Sequence, residues 1–313
     1  MPGTPVTPSA PAIAGGAAAA GEKRGATARP DGGGAKARPG KHEAPRRHQT
    51  AAETVYHGKR ACEALFAHRP DAIVRVYVAE AARTAFAAIT AWCAARRKGF
   101  QIVPAESVAR VAGSLHHEGI AILARTREPI DADGLLAASA AGTITGPLVY
   151  LDGVQNPHNP GTILRTAAYL GAGAVVGRAG ELPAVSPAAA RVAEGAAEIV
   201  PVVACADPVA DFTRLRAAGF TIVGTSSHRG DPLRARPLPR RTLFVLGSEG
   251  TGMSPEVEKA IDRCVRIPGS DAVESLNVAV ACGILLAEWA AAHGTAAAGP
   301  PATGRSGPAR RRP

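Results

Sequence analysis

From residue 148 to about 292 the chain alternates short apolar runs with amphipathic stretches. "LVYLDGV", "AVVG", "IVPVV", "FTIVGT", "TLFVLG" and "CVRI" read as strands, each four to seven residues long. Between them, helical spacing predicts helices near 161–171, 186–198, 207–218, 254–263 and 276–292. Short apolar strands alternating with helices imply a mostly parallel sheet covered on both faces, the α/β class. A second, smaller alternation runs from 53 to 128. There "AIVRVYVA", "FQIVP" and "EGIAILAR" read as strands, and "GKRACEALFA", "AARTAFAAITAWCAARRKG" and "AESVARVAG" as helices, the middle one stopping at Gly99. Residues 129–147 are rich in Pro, Gly, Asp and Ser and read as a linker with one helical turn.

Composition adds the ends. Residues 1–50 and 297–313 are rich in Ala, Gly and Pro and lack hydrophobic periodicity, so they read as disordered tails. The formal net charge is +10, of which the tails carry +5 and +4 and residues 51–296 only +1. Basic tails beside a near-neutral globule suit loose contact with nucleic-acid phosphates. No run of eighteen apolar residues appears, so no membrane span is expected. No signal peptide is legible, and the five cysteines are scattered without metal-like spacing. A reduced, cytoplasmic protein without a metal site is the expectation.

Three loops that follow strands carry unusual polar groups, and ligands of open α/β sheets bind at the carboxyl ends of strands. In "LDGVQNPHNPGTILRTAAYLGA", Asn159 is placed in a proline-stiffened loop and Arg165 about one turn into the following helix. His158 in the same loop reads as a turn residue rather than a base, and His116 and His117 as residues shaping a turn in the smaller unit. In "TLFVLGSEGTGMSPEV", Gly247, Gly250 and Gly252 suit either a loop whose backbone N–H groups approach a ligand or a tight structural turn, and Ser254 and Pro255 open a helix. The stretch is neither a P-loop nor a dinucleotide fingerprint, which disfavours a dehydrogenase. In "VRIPGSDAVESLN", the chain leaves a strand at Ile267 and enters the last helix through Glu274, Ser275 and Asn277. Ser and Asn there suit capping.

These three motifs, in this order and spacing, resemble the SpoU/TrmH family of RNA ribose 2′-O-methyltransferases, part of the SPOUT superfamily. "YHGKRACEALF" and "SLHHEGIAIL" resemble the small substrate-binding domain, similar to ribosomal protein L30e, that precedes many members. The resemblance covers about 53–292. It implies a small RNA-binding domain at 53–128, a catalytic domain at 148–296 and a C-terminal trefoil knot. It also implies S-adenosylmethionine held around Gly247, Ile267 and Leu276, largely by backbone groups, and a homodimer with its active site assembled across the interface. "IPGSD" departs from the family's common "IPM" followed by Gly, which implies a looser wall to the cofactor pocket.

A ribose 2′-hydroxyl keeps its proton near neutral pH, so the catalyst must orient it and ease that proton's loss. The resemblance places the functional arginine at Arg165. Arginine resists deprotonation, so a phosphate clamp that stabilises the developing alkoxide suits it better than a general base. Asn159, Ser275 and Asn277 are expected to orient the ribose and the arginine, and Glu249 to pair with Arg165 or to position its loop. The alternative is an RNA-binding protein with a degenerate methyltransferase domain. The substrate is expected to be structured RNA, tRNA or rRNA.

Overall fold

The computed structural model describes residues 53–295, apart from 155, 157, 182–185 and 271. Both tails therefore lie outside the described residues. The first part of the chain forms β1 (Glu53–His57), α1 (Lys59–His68), β2 (Ile73–Ala79), α2 (Ala87–Ala95), β3 (Gly99–Val103), α3 (Ala105–Ala112) and β4 (Ile120–Arg125). The sheet order is β1-β4-β2-β3, antiparallel except between β2 and β3. β1, short and half polar, has too little alternation to be read from sequence. The long helix expected over 81–99 begins only at Ala87. Phe86 adopts non-helical angles, and its side chain is buried in the core of this layer.

The rest forms α4 (Ala132–Ala140), β5 (Leu148–Asp152), α5 (His158–Leu170), β6 (Ala174–Arg178), α6 (Pro187–Val192), α7 (Ala196–Ile199) and β7 (Val202–Cys205). It continues through α8 (Pro208–Ala217), β8 (Thr221–Thr225), β9 (Asp231–Pro232), β10 (Thr242–Gly247), α9 (Pro255–Lys259), β11 (Arg263–Arg266) and α10 (Val278–His293). The seven strands are ordered β7-β6-β5-β10-β8-β11-β9, and every ladder is parallel. Alternate residues feed opposite faces, as the two-residue period of a strand requires. Val149, Leu151, Phe244 and Leu246 pack into a core with α5 and α10. Leu148, Tyr150, Leu243 and Val245 pack into a second core with α4 and α8. Each fully buried Leu or Phe contributes roughly 1.5–3 kcal/mol relative to exposure.

Several expectations are corrected. The stretch 129–147 is more than a linker: Asp131 caps α4 by accepting from the Gly134 N–H at 2.8 Å, Leu135 is buried, and Ile130 bridges to Val203 at the sheet edge. The helix expected over 186–198 is two helices, broken by positive φ at Glu194 (47°) and Gly195 (91°). A Cβ on Gly195 would lie 2.4 Å from the Ala64 Cβ, so α1 approaches closely there. The helix expected to run to 263 stops at Lys259. Asp262 instead accepts from the Ile222 N–H at 2.7 Å and from Arg216 at 2.5 Å, turning the chain into β11.

The two layers share contacts. Ala190 of α6 belongs to the core of the small layer. Arg69, after α1, makes a two-bond pair with the buried Glu198 of α7, at 2.6 and 2.9 Å. That pairing raises the Arg69 pKa, and Arg127 adds a bond to the Ala197 carbonyl at 2.7 Å.

Candidate active site

At the carboxyl ends of β5, β6 and β10 lies a cleft of about 600 Å³. Its rim is the turn after β10. Gly247 must be glycine: a Cβ there would stand 2.1 Å from the Gly252 carbonyl carbon. Ser248 and Gly252 exchange backbone hydrogen bonds at 3.0 and 3.1 Å, closing a small hairpin, and Gly252 has φ 70°. Side chains added at Gly250 or Gly252 would meet nothing within 4 Å, so this face of the hairpin is open to a ligand.

Glu249, on the hairpin, is the hub of a polar cluster. Its Oε1 accepts from the Asn277 side chain at 2.7 Å, the Asn159 side chain at 3.3 Å and the Val278 N–H at 3.3 Å. Asn277 also donates to Asn159 Oδ1 at 3.1 Å, while its own Oδ1 caps α10 by accepting from the N–H groups of Ala279 and Val280. Asn277 is thus the cap, and α10 begins at Val278 rather than 276. Ser275 is exposed, two residues ahead of that cap. Asn159 is buried inside the first turn of α5, not in the preceding loop. The cluster joins the three sequence motifs: the first through Asn159, the second through Glu249 and the third through Asn277.

Arg165 stands apart from it. Six residues beyond Asn159, it is about 120° around α5 and about 9 Å further along its axis. Its side chain is 56% exposed, and its guanidinium pairs with Glu194 at 3.1 Å. The expected Glu249–Arg165 pair is therefore absent among the described residues; Glu249 serves the two asparagines instead.

Sequence reasoning missed the floor of the cleft. Asp152 ends β5 almost fully buried, and its Oδ2 accepts from the Ser254 N–H at 2.6 Å, tying β5 to the start of α9. Ser254 is the N-cap by position, yet its hydroxyl makes no capping bond. Arg178, also lining the cleft, pairs with Glu256 and, at 3.4 Å, with Glu181. Burial, reinforced by Asp152, pushes the Tyr150 hydroxyl well above its usual range. An acidic residue ending an otherwise apolar strand, "LVYLD", was the legible signal.

The residues fit S-adenosylmethionine. The hairpin offers backbone groups without bulk, and Leu276, next to the Asn277 that bonds the hairpin, leaves 43% of its surface exposed for an apolar ligand face. Ile267 lies just past β11 and packs half-buried on the core.

Comparison with known proteins places the chain in a family. A family model described as the SpoU rRNA methylase family matches residues 146–287, and one described as RNA 2′-O ribose methyltransferase substrate binding matches 56–130. The chain is 36% identical over 244 residues to the uncharacterized tRNA/rRNA methyltransferase YfiF of Escherichia coli O157:H7, covering 78% of this chain and 69% of that one. It is 33% identical to the 23S rRNA (guanosine-2′-O-)-methyltransferase RlmB of Bordetella pertussis, covering 76% of this chain and 97% of the relative. The AdoMet-bound rRNA methyltransferase of Sinorhizobium meliloti shares the fold, with a TM-score of 0.63 at 23% identity over 77% of this chain and 87% of that one. The chain belongs to the SpoU/TrmH family of RNA ribose 2′-O-methyltransferases.

Proposed function

We propose that this enzyme methylates a ribose in tRNA or rRNA, with the reacting ribose held by the Asn159–Glu249–Asn277 cluster and its phosphate clamped by Arg165. The observation that carries this reading is the interlocked cluster itself, in which one carboxylate fixes two carboxamides from distant parts of the chain. Carboxamides so fixed present oriented donors and acceptors to ribose hydroxyls at little reorganisation cost. S-adenosylmethionine supplies an electrophilic methyl group when bound. Gly247, Ile267 and Leu276 would hold it, and Ser275 lies exposed beside the cluster to contact the ribose. Transfer to the 2′-oxygen would leave the cofactor as a neutral thioether and release the hydroxyl proton to water, while the two carboxamides keep the hydroxyl oriented. Arg165, fixed as a cation, stabilises the oxygen's growing negative charge.

Arg165 leaves α5 away from the cluster of its own chain, which supports a homodimer in which it serves the partner's cluster. Exposed apolar side chains on the two packed helices support the same reading: Tyr169 on α5 is 84% exposed and Val280 on α10 is 52% exposed. Residues 53–128 are the RNA-selecting domain in this reading, 148–296 the catalytic domain with the family's trefoil knot, and the tails loose phosphate contacts.

The test separates chemistry from cofactor binding. Arg165→Ala should lower methyl transfer to total RNA by about 10²–10³-fold, with S-adenosylmethionine affinity unchanged by calorimetry. Equal loss of cofactor affinity would show that the arginine serves the cofactor.

A further inference from the structure

A second cleft, of about 490 Å³, opens where the small layer meets α5 and α6. Its walls carry four cations: Lys59 and Arg60 at the start of α1, Arg165 on α5 and Arg191 on α6. Two carboxylates face them, leaving an excess of positive charge. Glu194 reaches Arg165 at 3.1 Å and Arg60 at 3.8 Å. Glu118 accepts from the Lys59 N–H at 2.6 Å, at a helix start whose cap, Gly58, has no side chain to offer. Both carboxylates sit on strained backbone. Among the described residues only Arg97, Glu118 and Glu194 are non-glycine residues with positive φ. His57 also lines this cleft; it is buried, and its Nδ1 has no hydrogen-bond partner.

Such an arrangement is costly without a ligand. Cations from two layers converge, and two acidic side chains are held in unfavourable backbone geometry opposite them. The carboxylates stand where an anion's oxygens would stand: one at an uncapped helix start, one between two guanidinium groups. We propose that this seam is a binding site for an RNA backbone phosphate, with Glu118 and Glu194 as internal anions that the phosphate displaces. Arg165 belongs to both the seam and the reaction, so the seam takes a phosphate close in sequence to the methylated ribose. The small layer thereby grips the strand at the catalytic layer's edge. This inference rests on Arg165 as a phosphate clamp.

The test uses the full chain and a single-stranded oligouridylate of about twelve nucleotides, long enough to cross several phosphates. Affinity is followed by fluorescence anisotropy over a salt series. Lys59 and Arg60 are both exposed, so the double variant Lys59→Ala/Arg60→Ala should keep its melting temperature. It should bind about tenfold more weakly and flatten the log–log salt slope by about 0.7–1.4. Glu118→Gln, which weakens the internal competitor, should bind more tightly than wild type. Removing the same charge elsewhere on the small layer, in Arg96→Ala/Arg110→Ala, should change neither affinity nor slope. Wild-type affinity and slope in the seam double variant, equal loss in the control pair, or weaker binding by Glu118→Gln would each overturn the proposal. Methyl transfer by Arg165→Ala is measured in parallel. If that variant is inactive while the seam variants bind normally, the clamp stands and the seam does not; if it is fully active, the clamp itself is wrong.

Discussion

The two clefts are built on opposite principles. At the strand ends, the Asn159–Glu249–Asn277 cluster is closed on itself: each of its three side chains is hydrogen-bonded to the other two. In the seam, cations outnumber carboxylates, and the carboxylates are held there by strained backbone. The first arrangement suits a site that must be rigid before its substrate arrives. The second suits a site that exchanges one anion for another. Both draw on α5, which presents Asn159 to one and Arg165 to the other. Positioning and grip are thus divided between two flanks of one helix.

The sharpest way to break this division is Glu249→Ala. Losing the hub frees both carboxamides, so methyl transfer should fall by about 10²–10³-fold. Oligouridylate affinity should hold, because no seam cation is touched. A matching fall in RNA affinity would mean that the clefts are one site. Next in size is Arg69→Ala, which strands the buried Glu198 carboxylate between the layers. Removing one partner of a buried pair costs about 3–5 kcal/mol, read as a shift in the urea midpoint. A loss below about 1 kcal/mol would show that the layers are held by their shared apolar contacts alone.

The smallest effect is acid sensitivity of the seam. Burial, then the nearby Arg191, holds the His57 imidazole below its ordinary 6.5. The unfolded chain therefore binds more protons in that range than the folded one. Stability from this group is complete above about pH 6.5 and is lost as pH falls from there through the folded value. Wild type should lose more stability between about pH 7.5 and 5.5 than His57→Gln does. Equal losses would assign the acid sensitivity to other groups.

Much of this was legible from residues alone, and the gaps have physical causes. The parallel sheet followed from apolar strands in alternation with helices, and Asn159, Glu249 and Asn277 each lay in a polar stretch after a strand. The partner of Arg165 was not legible. Glu194 reaches it from a kink between α6 and α7, where an amphipathic pattern continues but the backbone turns left-handed because α1 passes close to Gly195. Local pattern carries no record of a neighbour packed from another layer. The same limit hid α4, set in a stretch, 129–147, whose Pro, Gly, Asp and Ser read as a linker, while Leu135 and Ile130 join the sheet's core and edge. Asp152 was overlooked because its partner, the Ser254 N–H, lies a hundred residues away in sequence.

The strand order has a consequence for how the chain is made. β10 lies between β5 and β8, with hydrogen bonds to both, yet both precede it in the chain. The sheet's centre is therefore a gap until residue 247 has left the ribosome. At about 5–20 residues per second, roughly 5–20 s separate β5 from β10. Through that interval β5 exposes an unpaired edge, joined by β8 once residue 225 has emerged, and slower translation of this stretch would lengthen the time in which nascent chains can pair with one another instead.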